Sequence, residues 1–369
     1  MLTGKSTKSK KNSLTAGSGK ELTRSRFSLE KGYVAYIMIA PFVIVFLIFS
    51  LYTVLYTFSL SFSDMKLTEM SKAKFNGGDN FVDFFEKIYN KMWKDRSFSI
   101  SRLFEYSDYH QNLKAIANTW KIWLVNFIPQ LAIAMLLSVW FNSTFLKLKF
   151  VGFWRSILYM PNLLMPATVG VIFFKIFQND YAPANQFLVG VLKIVDQPVE
   201  FLMKPPFSQY LVAFIQWWMW YGNTIVILVA GMSSISVSLY ESAMIDGAGG
   251  WKMFRYITLP SLRPILVFTL VTSLVGGMQM FDIPYLISAE GSPENTITTI
   301  YMLMHRTYLA GKAVGYSAMI GVIILMMTTV CSLLIFRVLR DKDAAAERKA
   351  SVIARREKRR HLQASRGGR

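Results

Sequence analysis

Long apolar stretches alternate with shorter polar ones along the chain. Six stretches, 34–60, 119–141, 153–177, 210–232, 265–287 and 314–339, meet the requirement for crossing about 30 Å of hydrocarbon, roughly 20 mostly apolar residues in a helix. A lipid-facing backbone must satisfy its own N–H and C=O groups, so all six are predicted as helices. Pro41 in the first stretch, and Pro161 and Pro166 in the third, are predicted as kinks that the spans tolerate.

The loop 238–264 has a helical grammar of its own. Ser238 and Glu241 have the spacing of a capping box, which predicts a short helix over 241–248 ended by Gly249 and Gly250. Trp251, Phe254 and Ile257 then recur at helical spacing. Pro260, which donates no N–H, ends that piece or begins the next. A capped polar helix joined at glycines to an apolar-faced one, pinned between spans, is built to contact something.

Composition sharpens this picture. The chain of 369 residues is 53% hydrophobic, with mean hydropathy +0.34, yet carries a net charge of +19. Segregation resolves the conflict: of 41 Lys and Arg, eight lie in 1–32 and twelve in 337–369. These basic tails, 1–32 and 341–369, contain few aromatics and are predicted to be largely disordered. Beside membrane spans, the positive-inside rule explains them better than nucleic-acid binding. Lys147, Lys149 and Arg155 after the second span, and Lys252, Arg255 and Arg263 in the 238–264 loop, lie on the same side as the tails. Segments 61–118, 178–209 and 288–313 mix acids with bases and fall on the other side. The prediction is a multi-pass plasma-membrane protein with both termini cytoplasmic.

Catalytic chemistry is not evident. Gly4-Lys5-Ser6-Thr7 and Gly17-Ser18-Gly19-Lys20 imitate parts of a phosphate loop, but neither has the full spacing or follows a strand. Any nucleotide hydrolysis must come from a partner. Cys331 alone can form no internal disulfide and has no metal-ligand company, and His110, His305 and His361 are scattered.

Glu241, Ser242, Ala243, Asp246, Gly247, Ala248, Phe254, Ile257, Leu259, Pro260 and Pro264 resemble the EAA loop of ABC-importer permeases, most closely the maltose-type sugar permeases. Ser242 replaces the first alanine, a small-for-small change. The resemblance extends over most of 33–340. It implies an all-α membrane protein with six transmembrane helices in the type I ABC-importer permease fold, working by alternating access, with no cofactor of its own. It further implies a second, similar permease, two ATPase subunits that bind the ATP, an external solute-binding protein and a carbohydrate substrate, an oligosaccharide by preference. The loop would be the coupling helix, docking on an ATPase through Glu241, Ala243, Ile245, Asp246, Gly247 and Ala248 with Trp251, Phe254 and Pro260 nearby.

Substrate contacts are expected on the fourth and fifth spans. Trp217, Trp220, Tyr221 and Asn223 can stack on sugar rings and bond hydroxyls, or form an interfacial aromatic belt. Gln279, Phe281 and Asp282 are candidate pore-facing groups, because polar side chains at membrane depth usually face a cavity; Asp282 can also be a wetted residue at the span's end. The family's turn after this helix is matched by Gly291-Ser292-Pro293, without its asparagine pair. Gly276-Gly277 permits close helix approach. In 61–118, Phe84, Phe85, Ile88, Met92 and Trp93 suggest an amphipathic helix, packed on the bundle or touching an external protein. An ion-driven secondary transporter is the alternative, but it leaves the EAA loop unexplained and offers only Asp282 as a relay.

Overall fold

The computed structural model describes residues 29–69, 73–89, 111–142, 149–288, 295–309, 311 and 313–339. Almost all of the two basic tails, Met92, Trp93, Lys147 and the Gly291-Ser292-Pro293 turn lie outside the described residues.

The first helix, α1 (29–61), is continuous through Pro41 and passes a widened π-type turn at Phe46–Leu51. Its residues up to Leu55 form one unit, and the chain from Tyr56 onward forms another. Residues 36–55 are apolar and almost entirely exposed, a surface suited to lipid.

In the second unit, α2 (Asp79–Tyr89) precedes α3 (Gln111–Asn142). Asn80 at the head of α2 donates to the carbonyls of Ser61 (2.9 Å) and Ser63 (2.8 Å), which the end of α1 leaves without helical partners. Phe84 is fully buried and Ile88 packs beside it, so the amphipathic reading of this segment is seated on the bundle. Burying Phe84 contributes roughly 1.5–3 kcal/mol.

The third stretch, expected as a span kinked by proline, is bent sharply. It is two helices, α4 (Val151–Leu163) and α5 (Pro166–Phe177), bent by 86° at residues 164–165. Met165, whose helical conformation the following Pro166 disfavours, is extended (φ −66°, ψ 127°), and the helix stops and restarts there. The remaining helices are α6 (Pro205–Ser233), α7 (Val237–Ile245), α8 (250–261), α9 (Arg263–Met278), α10 (Asp282–Ile287), α11 (Ile300–Leu309) and α12 (Val314–Leu339).

Helices α3 and α6 run parallel and are tied by polar groups from end to end. Gln209 Nε2 donates to Asn118 Oδ1 (3.1 Å) near their starts, Gln130 Nε2 to Thr224 Oγ1 (2.7 Å) midway, and Asn142 Nδ2 to the Val229 carbonyl (3.4 Å) near their ends. Glycines set the closest approaches. A Cβ on Gly222 would lie 2.2 Å from the Leu158 carbonyl of α4, and one on Gly277 would lie 2.1 Å from Trp123 of α3. Gly276 has nothing within 4 Å of its Cβ position, so only one of the two adjacent glycines serves packing.

The fifth span, expected as one helix over 265–287, is interrupted between α9 and α10. Pro284 has no N–H for the Met280 carbonyl four residues back. Thr299 Oγ1 donates to that carbonyl instead (2.7 Å) and accepts from the Met302 N–H at the head of α11 (3.2 Å). Thr119 Oγ1 accepts from Ile300 N–H (2.9 Å) and donates to the Ala115 carbonyl (2.7 Å). Asn118 Nδ2 donates to the carbonyls of Asn295 (2.8 Å) and Thr298 (3.1 Å). Thr299→Val keeps the shape and strands two buried backbone groups, each costing about 1–3 kcal/mol. The expected result is a clear fall in the Tm of the purified protein and weak protease resistance after membrane insertion.

Candidate functional site

Between α3, α6 and α9 lies a cavity of about 380 Å³, roofed by the α9–α10 break. Each helix contributes one face. On α6 the lining residues are Gln216, Trp220, Asn223, Thr224 and Ile227, which recur at helical spacing. On α9 they are Thr269, Thr272, Ser273, Gly276 and Gly277. Asn126 and Gln130 of α3, and Pro166 at the head of α5, complete the wall. Gln279, Met280, Phe281, Asp282 and Ile283 form the roof.

The cluster Trp217-Trp218-Met219-Trp220-Tyr221 is divided by the turn of the helix. Trp220 faces the cavity, with its Nε1 donating to Gln216 Oε1 (3.1 Å). Met219 is fully buried, and Trp218 packs on Phe173 with ring centroids 5.7 Å apart. Trp217 and Tyr221 stack on each other (5.4 Å) and do not line the cavity. Of the seven residues expected to contact solute, the cavity thus brings together Trp220, Asn223, Gln279, Phe281 and Asp282. The expectation missed Asn126, Gln130, Gln216, Thr224, Thr269, Thr272 and Ser273. Their signal is polar residues at 3.6-residue spacing within apolar spans. Phe281 extends the roof into an aromatic group, with Tyr285 (4.8 Å), Tyr301 (5.5 Å) and His305 (4.7 Å) around it. Among the described residues no three His, Cys, Asp or Glu side chains gather as metal ligands. The cavity can therefore hold a hydroxyl-rich, partly apolar solute by hydrogen bonds and ring stacking.

The second candidate region is the loop after α6. Its first helix starts earlier and ends earlier than expected. The residue preceding it is Ser236, not Ser238, and helix α7 ends at Ile245 rather than running through 241–248. Gly247, not the Gly249-Gly250 pair, terminates it, in a left-handed conformation (φ 72°). Ala248 N–H donates to the Ala243 carbonyl (2.8 Å) and Gly247 N–H to the Met244 carbonyl (3.1 Å), the two bonds of a Schellman cap. Asp246 is the C-cap, and Glu241 is exposed on the helix. Helix α8 then passes through Pro260 by way of a widened turn, Phe254–Thr258. Tyr240 Oη and Thr258 Oγ1 lie 2.8 Å apart and hold α7 to α8, and the Trp251 and Phe254 rings lie 5.6 Å apart. Ile245 is 87% exposed and Trp251 75%, so the loop presents large apolar side chains outward.

Apolar helices long enough to cross a membrane, a polar cavity among them and an apolar-tipped loop beyond one end together define a multi-pass membrane permease. Residues 119–342 match the family described as binding-protein-dependent transport system inner membrane component. The chain belongs to that family. It is 30% identical to the arabinooligosaccharides transport system permease protein AraP of Bacillus subtilis (strain 168), over 81% of this chain and 86% of that one. It is 26% identical to the lactose transport system permease protein LacF of Rhizobium radiobacter, over 87% and 99%. Its fold matches a crystal structure of a bacterial ABC transporter involved in the import of the acidic polysaccharide alginate, with TM-score 0.67 and 22% identity over 84% and 96% of the two chains. The protein is an importer permease, neither an ion-driven carrier nor an enzyme.

The Schellman cap carries a prediction of its own. Asn tolerates the left-handed region, Ala costs about 1–2 kcal/mol there, and Pro cannot adopt it and also loses the bond to Met244. Hydrogen exchange of the 237–248 amides should therefore accelerate in the order Gly247→Asn, Gly247→Ala, Gly247→Pro.

Proposed function

We propose that this chain is one of two permease subunits of an ABC importer that carries a saccharide, and that the cavity is its solute path. The observation behind this is the cavity wall itself, which amide and hydroxyl groups on three helices line together with Trp220 and Phe281. Stacking on a ring's C–H face and bonding its hydroxyls suit a sugar. The relatives' names support it, through arabinooligosaccharides and lactose. One solved neighbour is an alginate transporter in complex with an alginate pentasaccharide-bound periplasmic protein, and an external binding protein is the expected donor here too.

The loop of α7 and α8 is read as the docking element for an ATPase subunit. Ile245 and Trp251 supply the apolar contact, and Glu241 and Asp246 the polar rim. ATP would be bound by the two ATPase subunits. The lysine and arginine bias supports a cytoplasmic position for this loop and both termini.

Two experiments test this reading. Gln279 is an exposed cavity side chain, so Gln279→Ala should leave the complex assembled while lowering saccharide uptake about three- to tenfold, the loss of one net hydrogen bond. Ile245→Glu should leave the Tm unchanged and abolish co-purification of the ATPase. Wild-type uptake in the first and retained ATPase in the second would remove the assigned roles. For topology, a cysteine at exposed Tyr181 should react with an impermeant thiol reagent in intact cells, and one at Asp246 should react only after lysis.

A further inference from the structure

The geometry points to a hydrogen-bonding station deep in the cavity, formed by Asn126 of α3 and Thr269 of α9, that takes a hydroxyl group of a passing solute. We propose this as a subsite distinct from the Gln279–Phe281–Asp282 roof, and it rests on the saccharide-import reading above.

Asn126 is 6% exposed and Thr269 3%, and both line the cavity. Asn126 Oδ1 and Thr269 Oγ1 are buried and have no hydrogen-bond partner. Such atoms are normally paired. Their neighbours are: Gln130 donates to Thr224 Oγ1 (2.7 Å), and Trp123 Nε1 to the Ser273 carbonyl (3.0 Å). A threonine in an apolar helix has an easy partner in the carbonyl four residues back. Thr119 (2.7 Å), Thr272 (2.9 Å), Thr307 (2.8 Å) and Thr328 (2.9 Å) all use it. Thr269 Oγ1 makes no such bond.

The two groups sit at one level. Trp123 bonds Ser273 across α3 and α9. Asn126 lies three residues beyond Trp123, and Thr269 four residues before Ser273, one turn further from the roof on facing antiparallel helices. Ten residues separate Thr269 from Gln279, about 15 Å of helical rise. Asn126 Oδ1 accepts, and the Thr269 hydroxyl donates or accepts. A sugar hydroxyl, both donor and acceptor, satisfies both. Neither group neutralises a charge, and charge at this depth is costly, so the station suits an uncharged hydroxyl.

The test uses the full importer, with its ATPase and binding protein, in proteoliposomes, and a panel of neutral di- to tetrasaccharides. Thr269→Val and Asn126→Leu remove the unpartnered atoms. The expected result is a Tm equal to or above wild type in the absence of sugar, opposite in sign to Thr299→Val. Uptake of the carried saccharide should fall about three- to tenfold, and Thr269→Ser should restore it. A lowered Tm in both variants means that the groups hold the protein together and overturns the station. Wild-type uptake in both variants overturns it as well, leaving the import reading intact. A wild-type importer that carries no member of the panel overturns the import reading and the station with it.

Discussion

In hydrocarbon no water is at hand to bond a freed carbonyl, so a broken helix survives only where protein groups replace the lost partner. The bond from Thr299 to the Met280 carbonyl meets that requirement, and the cavity depends on it. Pro284 leaves the Met280 carbonyl without its helical donor where α9 and α10 are interrupted, and Gln279, Phe281 and Asp282 line the cavity there as a roof. Thr299 in turn orders the head of α11, where Thr119 holds the Ile300 amide. Asn118 and Gln209 then bind the carbonyls of Asn295, Thr296 and Thr298. Roof, the head of α11 and the starts of α3 and α6 are therefore one hydrogen-bonded assembly.

At the opposite end the loop is compact rather than slack. Its first helix is closed by a cap that needs Gly247, and its second is held to it through Tyr240 and Thr258. Helix α8 runs almost directly into α9: Leu262 N–H bonds the Thr258 carbonyl (3.0 Å) and Leu266 N–H the Leu262 carbonyl (2.8 Å). Leu262 itself is fully buried. Helix α9 carries one of the polar stripes of the cavity, Thr269, Thr272 and Ser273. In the proposed import cycle, a push on α7 would reach the cavity wall through continuous backbone rather than through a mobile linker.

Much of this architecture was legible from hydropathy, because spanning length is a hard constraint and six stretches satisfy it. The break at Met165 was not, since the same proline pattern suits both a kink and a stop, and packing decides between them. The loop's family resemblance was legible from its residues, but its helix limits were not. Ser236 and Ser238 are equally plausible starts by residue type, and Gly247 looked interior until its φ was known. For the cavity, Gln279 and Asp282 stood out as polar groups in an apolar run. Trp217 and Tyr221 stood out equally, yet the helix turns them away from it. Threonine and serine, which usually bond their own helix, carried little signal, and so Thr269 and Ser273 were passed over.

The neighbouring glycines of α9 have opposite mechanical meanings. Gly277 is filled by the Trp123 indole and fixes the distance between two walls, whereas Gly276 opens onto the cavity with free space above it. Position 276 is thus a natural dial for the width of the cavity. Side chains of graded size grafted there would narrow the proposed solute path stepwise while the Gly277–Trp123 contact kept the two walls in register.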